Sequence, residues 1–125
     1  MIQSLLSVAL GGALGAAARY LTNVGAMRLI GPGFPWSTLV VNIVGSFLMG
    51  FLVVWFAERD LTRLAPFAMT GVLGGFTTFS AFSLDAVSLW QRGDTLGAGA
   101  YVAASVALSL AALLAGMAAA RGIWA

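Results

Sequence analysis

Residues 74–83 read GGFTTFSAFS. Two glycines, four hydroxyls and three phenylalanines stand together inside an apolar run, with PFAMTGVL before them and LDAVSLW after. Each glycine weakens a helix by up to about 1 kcal/mol relative to alanine. Backbone that unwinds at membrane depth is tolerated only where it is buried in protein or lines a cavity. Gly71, Gly74 and Gly75 therefore predict a helix that breaks at a protected place. The carbonyls exposed by such a break are ligands for a hard cation such as Na⁺. The alternative is a kink at a dimer contact, with no ion.

The membrane setting follows from composition. The chain has 125 residues, 61% hydrophobic and 8% charged, with a mean hydropathy of +1.00. Soluble domains carry about 25% charged residues, so this chain cannot cover a water-facing surface and reads as an integral membrane protein. A spanning helix needs about 20 apolar residues. Four such spans fit, over 2–27, 37–57, 67–90 and 95–120, separated by IGPGFPW, ERDLTRLAP and QRGD. The whole of 1–125 reads as one transmembrane domain. ALGAAA in the first span resembles a signal-cleavage site, but no positive region precedes it and the span continues through Arg19 and Tyr20, so a retained helix is expected.

Composition also excludes functions. All basic residues are arginine and the net charge is +2, with no basic cluster for nucleic acid. There is no cysteine and no histidine, and Asp85 stands without a base partner, which leaves no catalytic constellation. The arginines are nearly balanced across the membrane. Arg59, Arg63 and Arg121 fall on one side of a four-span chain, Arg28 and Arg92 on the other. Orientation follows such counts, so two readings stand open: one weakly specified orientation, or insertion both ways up. Four short helices also enclose little on their own. Both points favour a homodimer, antiparallel if insertion is dual.

Polar residues recur at helical spacing. Thr38, Asn42, Ser46 and Gly50 are four apart, as are Gly97, Tyr101, Ser105 and Ser109. Ser46 and the glycines read as helix packing. Asn42 does not, because an unmet amide in lipid costs several kcal/mol; it must face protein or a water-lined path. Tyr101, Ser105 and Ser109 suggest a polar track. Arg19 is either a snorkelling charge or a positive vestibule that gathers anions. Asp85 is expected to pair with Arg19 or cap a polar cluster. Phe76, Phe79 and Phe82 sit three apart, and rings presented edge-on beside Asn and hydroxyl donors could hold a dehydrated anion without a fixed charge. Weak sites of that kind permit conduction.

GGFTTFSAFS, GGALGAAARY at 11–20 and TLVVNIVGSFLMG at 38–50 fall in order in three spans. Together they closely resemble the bacterial fluoride channel family, the Fluc/CrcB proteins, over essentially the whole chain. The resemblance implies an all-α membrane protein with four transmembrane helices, the third broken mid-membrane, in an antiparallel dual-topology homodimer of the bacterial inner membrane. It implies passive fluoride export through two pathways, with a structural Na⁺ held by the backbone carbonyls of Gly74 and Thr77 from each subunit. The family's pore phenylalanines fall on Phe79 and Phe82, its asparagine on Asn42, its polar track on Tyr101, Ser105 and Ser109, and its vestibule arginine on Arg19. Thr78 belongs to the motif, and Thr38 lies on the Asn42 face. Family members often carry Thr at the position of Ala81 and Glu at that of Asp85. A small multidrug-type exporter shares the size and helix count, but normally needs a first-helix carboxylate, which this chain lacks.

Overall fold

The computed structural model describes residues 1–124. They form α1 (Ile2–Leu29), α2 (Trp36–Glu58), a 3₁₀ turn (Thr62–Leu64), a π-helical stretch (Pro66–Leu73), α3 (Gly74–Phe76), α4 (Phe79–Gln91) and α5 (Thr95–Trp124). Four segments are long and apolar enough to span a membrane: Ile2–Leu29, Trp36–Glu58, Thr62–Gln91 and Thr95–Gly122. The chain is a multi-pass membrane protein. The helices extend a few residues beyond the expected spans at most ends, because flanking residues that hydropathy rejects still complete the last turns.

Local chemistry sets the ends. The 30–35 connection turns through Gly31 (φ 91°) and Gly33 (φ 120°), backbone that L side chains rarely adopt. Asp94 caps α5, accepting the Gly97 N–H on Oδ1 at 2.8 Å. Arg92 donates Nη2 to the Gly33 carbonyl at 3.0 Å, tying the 30–35 and 92–94 connections together at one end of the bundle.

Glycine positions decide how the helices pair. The only buried residues of α1 are Gly11 and Gly15. A methyl on Gly11 would run into the Phe67 carbonyl, and one on Gly75 would stand 2.6 Å from the Gly12 carbonyl. α1 and the first half of the third span therefore meet backbone to backbone. α2 and α5 do the same where Gly50 faces Leu113 and Gly116 faces Phe47. This is how membrane helices associate, by close approach at small residues. The bulk points outward: Leu10 is 60% exposed, Leu21 67% and Leu114 66%.

The third span changes partner halfway. Its first half lies on α1. Its second half, α4, lies on α5 and α2, where Leu39, Phe82, Leu89, Ala98 and Tyr101 form the buried core. Between the halves, Thr77 (φ −86°, ψ 159°) and Thr78 (φ −155°, ψ 124°) are extended. The phenylalanine stripe expected from sequence is interrupted here. Phe76 ends α3 and packs beside Gly45, whereas Phe79 and Phe82 share the first turn of α4.

Candidate functional site

The extended pair Thr77–Thr78 is held by side chains from two other helices. Asn42 of α2 donates Nδ2 to the Thr78 carbonyl at 3.0 Å and accepts the Thr78 N–H on Oδ1 at 2.8 Å. Arg19 of α1 donates Nε to the Gly75 carbonyl at 3.1 Å. Thr78 in turn caps α4, its Oγ1 accepting the Ala81 N–H at 3.1 Å. These bonds satisfy backbone groups that the interruption would leave bare in a low-dielectric interior, each worth about 1–3 kcal/mol if unmet.

The same bonds also decide which carbonyls are released. In a continuous helix the Thr78 N–H would close on the Gly74 carbonyl and the Ala81 N–H on that of Thr77. Both donors are diverted, to Asn42 and to the Thr78 hydroxyl. Gly74 and Thr77 lose their helical partners, while the Gly75 and Thr78 carbonyls are taken by Arg19 and Asn42. Among the described residues no group of three His, Cys, Asp or Glu side chains converges. The carbonyls of Gly74 and Thr77 are oxygen ligands of the hard type that Na⁺ prefers.

Beside the break lies a groove of about 320 Å³, lined by Asn42, Ser46, Thr77, Thr78, Phe79, Phe82, Ser105, Val106, Ser109 and Leu110. Most of the residues singled out by sequence meet here. Phe79 stands 77% exposed at its edge, and Phe82 is buried below. Their ring centroids are 5.5 Å apart. Ser105 Oγ is buried and finds no hydrogen-bond partner among the described residues. A buried hydroxyl normally has one, so an acceptor in the groove would stabilise it.

A second cavity, of about 440 Å³, holds Arg19, Tyr20, Asn23, Ser37, Thr38 and Asp85, with Ala16 and Ala81. Thr78 lines both spaces and stands between them. Arg19 thus combines a positive charge at this cavity with a bond to the break.

Tyr101 lies apart from Ser105 and Ser109. It is fully buried, its ring 5.3 Å from that of Phe82 and edge-on to Phe34 at 5.4 Å. Its hydroxyl donates to Asp85 Oδ2 at 3.2 Å. Of the two roles open to Asp85, the structure supplies the polar-cluster one, through Tyr101 rather than Arg19. Sequence reasoning treated Ser46 as packing, yet it lines the groove. Its spacing of four from Asn42 was the available signal. Asn23 was also missed, and it stands four residues from Arg19.

A sequence-family model described as CrcB-like protein, Camphor Resistance (CrcB), matches residues 6–117. A protein of Cereibacter sphaeroides named fluoride-specific ion channel FluC is 70% identical over 122 residues, covering 98% of each chain. Proteins of the same name are 56% identical in Roseobacter denitrificans, over 98% of this chain and 99% of theirs, and 56% identical in Paracoccus denitrificans over the full length of both.

Proposed function

The chain belongs to the CrcB-like family, and from that premise we propose that it is a fluoride-selective channel of the bacterial inner membrane. Membership also means that it is not an enzyme. The observation that carries the reading is the groove. One amide, several hydroxyls and two phenylalanine rings converge there, with the Ser105 hydroxyl unpaired and no lysine or arginine in the lining. Donors without fixed charge suit a small dehydrated anion that must bind and leave quickly. The Arg19 cavity supplies the positive approach to it.

The groove is open along one side, with Phe79 at its edge, and a single chain does not close it. A second copy inserted the opposite way would bring its own third span against this one, near the centre of the bilayer, and make an antiparallel homodimer with two paths. The Gly74 and Thr77 carbonyls of both copies would then hold a structural Na⁺, which would link the two breaks through neutral oxygen ligands. Thr78, between the two cavities, and Thr38, in the vestibule, would guide the ion inward to Asn42, Ser105 and Ser109.

Transport is passive. Hydrogen fluoride crosses bilayers neutral and ionises inside, and a negative-inside potential expels F⁻ by about 2.3 kcal/mol per 100 mV. That is roughly a fifty-fold concentration ratio.

Purified protein in KF-loaded liposomes should release F⁻ when a K⁺ ionophore is added, whereas KCl-loaded vesicles should retain Cl⁻. Equal fluxes of the two anions, or none of either, would sink the proposal. Phe82→Ile tests the ring. The polarised edge contributes on the order of 1 kcal/mol, so F⁻ flux should fall about fivefold while the dimer still elutes intact. Wild-type flux in this variant would remove the ring from the conduction path.

A further inference from the structure

We propose that Asn42 is a positioning residue for the cation site: its amide clamps the Thr78 peptide from both sides and so keeps the Gly74 and Thr77 carbonyls free for the ion. The inference rests on the Na⁺ reading above, but it concerns this chain's own hydrogen bonds. Five successive carbonyls lie at the break, from Gly74 to Thr78. Two are occupied by side-chain donors, Arg19 Nε at 3.1 Å on Gly75 and Asn42 Nδ2 at 3.0 Å on Thr78. Of the other three, those of Gly74 and Thr77 are the ones whose helical donors are drawn onto side chains.

Asn42 accounts for the Gly74 half of this directly. Its Oδ1 takes the Thr78 N–H at 2.8 Å, the donor that would otherwise close on Gly74. It accounts for the Thr77 half through Thr78. Fixing that peptide in the extended conformation turns the Thr78 hydroxyl onto the Ala81 N–H, the donor that would close on Thr77. Gly45, three residues along α2, lies against the Thr77 methyl, so the same helix supports the break from below. The Thr77 N–H and hydroxyl both close back on the Leu73 carbonyl, at 3.0 and 2.9 Å, so Thr77 spends its donors N-terminally and offers only an acceptor toward the gap. A residue that sets which ligands are available without touching the ion typically changes metal affinity 10–100-fold when removed.

The test is a sodium titration of the full-length protein in detergent, replacing N-methylglucamine chloride by NaCl at constant ionic strength and reading the thermal unfolding midpoint, which rises as a bound ion stabilises the folded state. The quantity of interest is the Na⁺ dissociation constant, obtained by fitting the stabilisation to RT ln(1 + [Na⁺]/Kd). General destabilisation lowers the unfolding midpoint at every concentration but does not move that constant. Asn42→Leu and Asn42→Ser should each raise it at least about tenfold. Asn42→Ser is the second variant because its small hydroxyl admits water to the uncovered peptide, which keeps the test open should the leucine variant fail to fold. Phe82→Ile, which lowers flux through the groove, should leave it unchanged. An unaltered dissociation constant in either folded Asn42 variant overturns the proposal while leaving the cation site standing. A wild-type protein with no response to Na⁺ overturns the cation site itself, and this inference with it.

Discussion

Gly15→Leu should leave no F⁻-conducting protein, and its thermal midpoint or yield of monodisperse protein should collapse. A Cβ at this position would run into the Val72 carbonyl oxygen and stand 2.8 Å from the Phe76 nitrogen. These are backbone atoms, which cannot rotate aside. α1 would have to withdraw from the third span along the line of Gly11, Gly15 and Gly75, where the two backbones touch. Overpacking of a well-filled interior typically costs 1–3 kcal/mol; with backbone on the far side the cost here should be at least about 3 kcal/mol. Withdrawal also carries Arg19, one turn along α1, away from the Gly75 carbonyl. Stability and function should therefore fail together. Gly25→Ala provides the contrast. It lies in the same helix with nothing within 4 Å of an added methyl, and alanine favours a helix over glycine by about 1 kcal/mol. That variant should be at least as stable as the wild type and conduct normally. A folded, conducting Gly15→Leu protein would mean that the α1 contact is not as close as described.

The four spans and the interruption were legible in the sequence because each has a one-dimensional cause. Hydropathy marks the spans, and glycines beside hydroxyls mark the place where a helix gives way. The partners at the break were not legible in the same way. Asn42 announced that its amide needed satisfying, but not that the answer was the peptide of Thr78, 36 residues away. Helical spacing assigns a residue to a face and says nothing of what lies opposite at that height. Tyr101, Ser105 and Ser109 share a face of α5, yet Phe82 covers the phenol and leaves only the two serines in the groove. Thr38, Asn42, Ser46 and Gly50 likewise share a face of α2 but meet, in turn, the Arg19 cavity, the break, the groove and the Leu113 backbone. The interruption causes this divergence, because it sends the two halves of one span to different neighbours. Asp85 shows the same limit: its charge left both a pair with Arg19 and a polar cluster open, and only the fold supplies Tyr101 as its partner.

Forcing every copy to point the same way should abolish flux, and mixing two oppositely forced variants should restore it. The arginines available for orientation are Arg59, Arg63 and Arg121 at one end, against Arg28 and Arg92 at the other. Arg92 reaches the Gly33 carbonyl, which fixes the 30–35 and 92–94 connections at a common end. A difference of one charge gives the insertion machinery little to act on, whereas added Lys or Arg in short loops sets orientation strongly. Glu58→Lys with Thr62→Lys takes the first end from three basic residues to five, both at exposed positions. Ile30→Lys with Gln91→Lys takes the other from two to four, again at exposed positions. None of the four residues lines the groove or the Arg19 cavity. Each double variant alone should insert uniformly, as read by labelling of a terminal tag, and cells carrying it should be as sensitive to fluoride as cells without the channel. Co-expression should return resistance, because each variant supplies the orientation that the other lacks. The open side of the groove sets this requirement: only an inverted neighbour would place its own Gly74 and Thr77 carbonyls opposite these across a two-fold axis lying in the membrane. A uniformly inserted variant that still conferred resistance would show that parallel copies suffice, and the antiparallel dimer would have to be abandoned.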